Sequence, residues 1–294
     1  MAITILTAVA VMAVLTFLLA SMLIIASKKW HVIEDPRLDQ VEDMLPHNNC
    51  GGCGYPSCRL FAEALIASEA LPGKCSVSSK EERIAVATFL DVDVGAQTKR
   101  VARLACAGGN NVATSHAIYS GEKSCIAAAQ VVGGGKTCSW GCMGYGDCER
   151  VCEFDAINLD EHGLPVVDEQ KCTACGDCVD VCPKALFSLQ SVDHPLWVRC
   201  KNLEMGDQVL DYCKVGCTAC GKCAADAPDQ TISMHNHLPL INESKNKQTD
   251  TVSKNAIQRC PTGAIVWLNE KGEETKGPAA YKVLRHSSLP STES

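Results

Sequence analysis

The chain has 294 residues, with 27 basic and 34 acidic side chains and a formal net charge of -7. Its 20 cysteines outnumber Phe, Tyr and Trp together, whereas a soluble domain of this length ordinarily builds its core from Leu, Ile, Val and Phe. Sulfur must therefore hold part of the molecule. The acidic balance excludes a nucleic-acid partner, which needs clustered Lys and Arg, and 46% hydrophobic content without a heptad or G-X-Y period excludes coiled coil, collagen and wholesale disorder.

Residues 3–27 carry no charged side chain and are dominated by Leu, Ile, Val, Ala, Met and Phe. One helix of that length crosses the roughly 30 Å hydrocarbon layer. A cleaved signal peptide or a buried helix is the competing reading. A signal peptide wants a positive region before its apolar stretch, yet here Lys28-Lys29 follow it, with Trp30 at interfacial depth. A single-pass anchor in the inner membrane, touching lipid through residues 3–27, is the favoured reading. The positive-inside rule puts the remainder of the chain in the cytoplasm. In that reducing compartment the cysteines read as metal ligands rather than disulfides.

The first cysteine group is Cys50-x2-Cys53-x4-Cys58, joined later by Cys75. Glycines at 51, 52 and 54 let the loop wrap a ligand closely. Residues 59–70 have helical periodicity that ends at Pro72-Gly73. Four thiolates bind zinc or a cubane, and zinc spacings more often come as two separated pairs, so [4Fe-4S] is favoured.

The run Cys172-x2-Cys175-x2-Cys178-x3-Cys182-Pro183 is the bacterial ferredoxin spacing. In that spacing three close thiolates wrap one cubane and the fourth reaches across to a second. Upstream, Cys138-x3-Cys142-x5-Cys148-x3-Cys152 supplies the partner triad with looser spacing. The pairing rule gives one set of Cys138, Cys142, Cys148 and Cys182, and another of Cys152, Cys172, Cys175 and Cys178.

Farther on, Cys217-x2-Cys220-x2-Cys223 repeats the triad, but Ala227 stands where the fourth cysteine is expected and no cysteine follows before Cys260-Pro261. A cysteine at 227 would have served the missing second cluster, so the two absences agree. One cubane on Cys217, Cys220, Cys223 and Cys260 is the result. A polar insertion over residues 242–255 takes the place of the lost triad.

After each of these positions an apolar pair follows (Ala156-Ile157, Ala185-Leu186, Thr231-Ile232, Ala264-Ile265), predicting a strand of a short hairpin at each. A second repeat aligns Cys125-x12-Cys138-x3-Cys142 with Cys200-x12-Cys213-x3-Cys217. On that register Tyr145 stands where Cys220 stands, so Cys138 replaces the ligand missing at 145. Cys106, Cys125, Cys200 and Cys213 are left unassigned, as small buried hydrophobes or as extra or alternative cluster ligands. Gly133-Gly134-Gly135-Lys136-Thr137 lacks phosphate-loop spacing, no strand leads into G-x-G-x-x-G, and the eight histidines show no paired spacing.

The predicted class is α+β. A transmembrane anchor (1–29) leads to a small helical four-cysteine [4Fe-4S] domain (30–92) and a double-cubane module of bacterial ferredoxin-like βαβ type (93–195). A degenerate single-cubane module (196–268) and a flexible tail (269–294) complete the chain. Cubanes held by four cysteines have no open iron position, so one-electron transfer rather than substrate chemistry is implied, with no catalytic residue in the chain. Four such clusters add roughly -8 to the formal charge, since each core contributes about +2 against four thiolates.

The order of anchor, Cys50/Cys53/Cys58/Cys75 domain and double-cubane module resembles the B subunit of the Rnf complexes, the ion-translocating ferredoxin:NAD oxidoreductases. The resemblance covers nearly the whole chain. It implies a cytoplasmic-side subunit that takes electrons from soluble reduced ferredoxin. Other subunits of the complex would receive them, and their flavins would pass them to NAD while sodium ions or protons cross the membrane. It carries the ligand role to the four cysteines of residues 50–75 and the eight between 138 and 182. The third module is an extension beyond the shorter members of the family. Two other readings are a cluster subunit of a different membrane oxidoreductase and a zinc-bound membrane-anchored scaffold.

Overall fold

The helix α1, Ala2–Lys29, opens the chain in a computed structural model that describes residues 2–29, 35–95, 99–245, 251–269 and 272–282. Its large apolar side chains are exposed all round, the pattern of a helix solvated by lipid rather than by protein. Thr16 and Ser21 direct their hydroxyls back to the carbonyls of Met12 and Phe17, so their polar groups are satisfied inside the helix. It is long and apolar enough to cross a membrane and ends on Lys28 and Lys29; Trp30 lies outside the described residues.

Three short helices follow: α2 (Arg37–Asp43), α3 (Cys58–Ile66) and α4 (Lys80–Leu90). Ser57 caps α3 by accepting from Leu60 N–H, and Ser79 with Glu82 forms a capping box on α4. Leu38 and Val41 from α2, Phe61 and Leu65 from α3, and Val86 from α4 make one core around these caps. The periodicity over residues 59–70 overstates α3. Ser68 turns left-handed at φ 60, and Glu69 N–H closes the end on Ala64 O.

Two strand-and-helix units come next, built alike. In the first, β1 (Arg100–Leu104) pairs antiparallel with β4 (Phe187–Ser191) from Arg100↔Ser191 to Leu104↔Phe187. Between them lie α5 (Cys125–Ala129), α6 (Asp147–Arg150), the hairpin β2 (Ile157–Leu159) with β3 (Pro165–Val167), and α7 (Asp177–Asp180). In the second, β5 (Leu196–Val198) pairs antiparallel with β8 (Ile265–Leu268). Between those lie α8 (Val209–Tyr212), α9 (Lys222–Asp226), and the hairpin β6 (Ile232–His235) with β7 (Leu238–Ile241). Ile157, Ile232 and Ile265 each open a strand, and Phe187 follows Leu186 into β4. All four residues of the pairs' second position are buried. The pairs after the cysteines thus face the cluster-side cores.

The second unit has a 3-10 segment, Thr251–Ile257, where the first has α7. Its Ala256 and Ile257, just past the polar insertion, are fully buried beside Cys223 and Cys260 and supply core there; residues 246–250 lie outside the described residues. The tail expected from residue 269 is corrected over part of its length. Strand β9 (Glu274–Thr275) pairs with Trp267 and Leu268 of β8, and Ala280 is buried. Residues 283–294 are outside the described residues.

The units are pinned to each other. Trp197 Nε1 donates to Leu104 O at 2.9 Å, Arg199 Nη2 to Cys106 O at 3.2 Å, and Lys214 N–H to Val112 O at 2.8 Å.

Candidate metal centres

All 20 cysteines are free thiols. In the first group the turn Gly51–Gly54, closed by Gly54 N–H on Gly51 O at 2.8 Å, and Asn49 Oδ1, which accepts from Cys58 N–H at 2.8 Å, bend the loop onto α3. Burial raises the Cys53 thiol, and the neighbouring Cys75 and Cys50 sulfurs add to it. Cys58 and Cys75 sit in the same core as Cys53. Ser78 donates its hydroxyl to Cys75 Sγ at 3.1 Å.

Cys152, Cys172, Cys175 and Cys178 line one cavity. Burial pushes the Cys178 thiol up to about 12, with Cys172, Cys175 and Cys152 adding to the shift. Backbone N–H groups of Ala102 and Ala156 donate to the sulfurs of Cys172 and Cys152, each at 3.4 Å. Cys217, Cys220, Cys223 and Cys260 likewise line a cavity. There burial, with the neighbouring sulfurs, takes Cys217 and Cys223 up to about 11.

In the remaining ferredoxin set, a cysteine that spacing leaves unassigned lies beside the triad. Cys148, pushed up to about 12 by burial, has Cys125 and Cys182 as its charged-form neighbours, and Cys142 has Cys106 and Cys125. Cys138 instead neighbours Cys106. Cys125 is brought in by the first turn of α5. Ser124 caps that helix, and the buried Asp147 carboxylate accepts from both Ser124 Oγ and Ile126 N–H at 3.0 Å, one residue either side of the cysteine. Tyr145 packs edge-on against Tyr119 with Cys125 nearby. The cysteine repeat aligned Cys125 with Cys200. In the structure Cys106 follows β1 as Cys200 follows β5. The empty middle position at Tyr145 was the signal that a ligand had to arrive from elsewhere.

Among the described residues no three His, Cys, Asp or Glu side chains converge where one metal ion could sit. Zinc needs thiolates about 2.3 Å from one point. Thiols gathered four to a cavity suit a multi-iron core, which four cysteines hold.

These thiols set a pH dependence on the metal-free chain. Their folded values of about 11 to 12 lie above the roughly 8.5 of an unfolded cysteine. The stability they contribute is intact below about pH 8.5 and is lost as pH climbs toward 12. Insertion of iron runs oppositely, because the thiolate is the ligand and its proton must leave. Urea unfolding of the metal-free chain should show a falling midpoint from pH 8 to about pH 10, while anaerobic reconstitution becomes more complete. A midpoint independent of pH would contradict the burial of these groups.

The first loop touches the ferredoxin loop directly. A Cβ on Gly52 would lie 2.9 Å from Ser76 Oγ, 3.3 Å from Ala174 O and 3.6 Å from Cys175 Cα, so a side chain here would crowd this backbone approach. Beside the contact lies an open cleft bordered by Lys74, Arg83, Lys99, Arg100 and Lys171, with Cys53 and Cys172 in its wall.

Comparison with known proteins agrees with this layout. A family model of an Fe-S cluster domain matches residues 45–77, and a model of the 4Fe-4S dicluster domain matches residues 137–186. The chain is 36% identical over 253 residues to the B subunit of the Na(+)-translocating ferredoxin:NAD(+) oxidoreductase complex of Acetobacterium woodii, covering 86% of this chain and 75% of that protein. It is 32% identical over 257 residues to the B subunit of the ion-translocating oxidoreductase complex of Methanosarcina acetivorans, covering 87% and 96%. It is also 32% identical over 268 residues to the B subunit of the proton-translocating ferredoxin:NAD(+) oxidoreductase complex of Clostridium ljungdahlii, covering 89% and 92%.

Proposed function

Because the chain belongs to the B-subunit family of ion-translocating oxidoreductase complexes, we propose that it is a membrane-anchored iron-sulfur subunit that takes electrons from reduced ferredoxin. It relays them within an ion-translocating ferredoxin:NAD oxidoreductase complex. The ion, sodium in one relative's name and protons in another's, crosses in other subunits. Lys28 and Lys29, at the end of α1, support a cytoplasmic position for the cluster domains.

The ligand sets in this reading are Cys50/Cys53/Cys58/Cys75, Cys152/Cys172/Cys175/Cys178, Cys125/Cys142/Cys148/Cys182 and Cys217/Cys220/Cys223/Cys260, with Cys125 in place of Cys138. When bound, a cubane supplies reversible one-electron storage and offers no open iron position for substrate. The protein's own work is to hold thiolates with N–H···S bonds, exclude water, and keep successive centres close. The observation that carries the reading is the approach of Gly52 to Ala174 and Cys175, which sets the first cysteine loop against the ferredoxin loop without an intervening side chain.

The cleft beside that contact suits a donor whose surface is negative, as a small protein loaded with thiolate-ligated clusters is. Lys99→Glu with Lys171→Glu should slow oxidation of reduced ferredoxin by the intact complex about tenfold at low ionic strength. The difference should close as salt screens the pair. Equal rates at low salt would place donor docking elsewhere.

A further inference from the structure

Four cysteines stand outside the sets above, and the two ferredoxin-like units deliver them to one spot. Cys106 lies two residues beyond β1 and Cys200 two beyond β5. Cys138 and Cys213 each precede the first triad cysteine of their unit, Cys142 and Cys217, by the same interval. All four line a single cavity between the units, as the cysteines of two proposed cluster sites line theirs.

The surroundings resemble those sites in kind. Cys106 Sγ accepts from the N–H groups of Gly108 and Cys142, and Cys200 Sγ from those of Asn202 and Cys217, all at 3.4 Å. A Cβ on Gly108 would stand 3.3 Å from Cys213 Sγ and 3.7 Å from Cys106 Sγ, so glycine keeps the space between those sulfurs clear. Cys213 is fixed by an antiparallel bridge to Ala113 across the unit boundary. Three cations, Lys136, Arg199 and Lys201, border the cavity. Lys136 holds Gly108 O and Cys142 O with its ammonium. Arg199 keeps Nε buried without a hydrogen-bond partner, a donor available to an anionic guest. Simple core thiols would not need cations, a cleared centre and paired N–H donors.

We propose that Cys106, Cys138, Cys200 and Cys213 hold a fifth [4Fe-4S] cluster at the junction of the two units. The inference rests on the iron-sulfur reading of the chain and extends it. Its site is joined by one N–H···S bond to Cys142, a ligand of the first unit, and by another to Cys217, a ligand of the second. It therefore bridges the third module to the rest of the wire. One electron enters from a reduced neighbouring cluster, which is oxidised, and leaves to the next, with no bond made or broken and no proton required.

The test is iron per chain, with native mass, for the full-length protein prepared without oxygen. The wild type should carry about 20 iron atoms. Cys213→Ser, Cys200→Ser and Cys125→Ser should each carry about 16, and Cys125→Ser combined with Cys138→Ser about 12, because those two cysteines serve different clusters. A wild-type mass corresponding to four cubanes, zinc at the junction, or a Cys213→Ser variant with undiminished iron would overturn the fifth site. So would a double variant that loses no more than Cys125→Ser alone. The native mass of the wild type decides the matter even where a serine variant does not fold. A wild type without iron would instead defeat the underlying functional reading.

Discussion

Cys172→Ser is expected to lower the iron content of the intact chain by about four atoms and to cut ferredoxin-driven electron flow through the complex about a hundredfold, some 3 kcal/mol in barrier terms. The position is central. Cys172 shares its cavity with Cys152, Cys175 and Cys178, accepts from Ala102 N–H, and borders the cationic cleft. On one side of this set is the loop of Gly52; on the other, Cys152 and Cys182 tie it to the neighbouring ligands of the same unit. Without this centre an electron must cross a whole module in one step rather than two shorter ones. Flavin reduction in the complex, followed after mixing with reduced ferredoxin, measures the effect. Unchanged flow with four irons missing would show that this centre is not on the route.

Phe61→Ala should destabilise the small cysteine domain by about 3–5 kcal/mol. Phe61 is 1% exposed, packs on Tyr55 at a ring distance of 5.5 Å, and lies among Leu38, Val41, Leu65 and Val86. A domain this small has little other core to share the loss. The same helix carries Cys58 at its start, so the first centre should go with it, seen as about four irons lost and rapid proteolysis near residues 67–80. Leu60→Ala, one residue away but 43% exposed, should change stability by no more than about 0.5 kcal/mol. Equal effects from the two substitutions would mean the domain does not depend on this core.

Much of this arrangement is written in local spacing. The run from Cys172 to Cys182 reads directly because its ligands lie within a few residues of one another, where chain geometry leaves few alternatives. The replacement of a cysteine by Ala227 was interpretable for a similar reason. No further triad stands between Ala227 and Cys260, and Cys217, Cys220, Cys223 and Cys260 line one cavity. The apolar pairs after each cysteine position were legible as strands because a buried Ile or Leu must follow the turn for the hairpin to close on its core.

Cys125 was not legible. Its place depends on the segment between β1 and α6 folding back so that Asp147 captures Ser124 Oγ and Ile126 N–H. No periodicity announces a bond between residues so far apart. The gathering of Cys106, Cys138, Cys200 and Cys213 was hidden for the same reason, since it exists only once the two units meet. Strand β9 escaped notice because two residues are too few to form a pattern, and their pairing is supplied by Trp267 and Leu268.

The claim underneath all of this is that sulfur here holds iron. Metal analysis combined with a dithionite titration of the full-length chain, purified without oxygen, addresses it most directly. About 16 or more irons per chain, no stoichiometric zinc, and a visible absorbance that bleaches over several one-electron steps is the result this account predicts. A colourless, zinc-loaded protein, or one whose thiols have paired as disulfides, would contradict it.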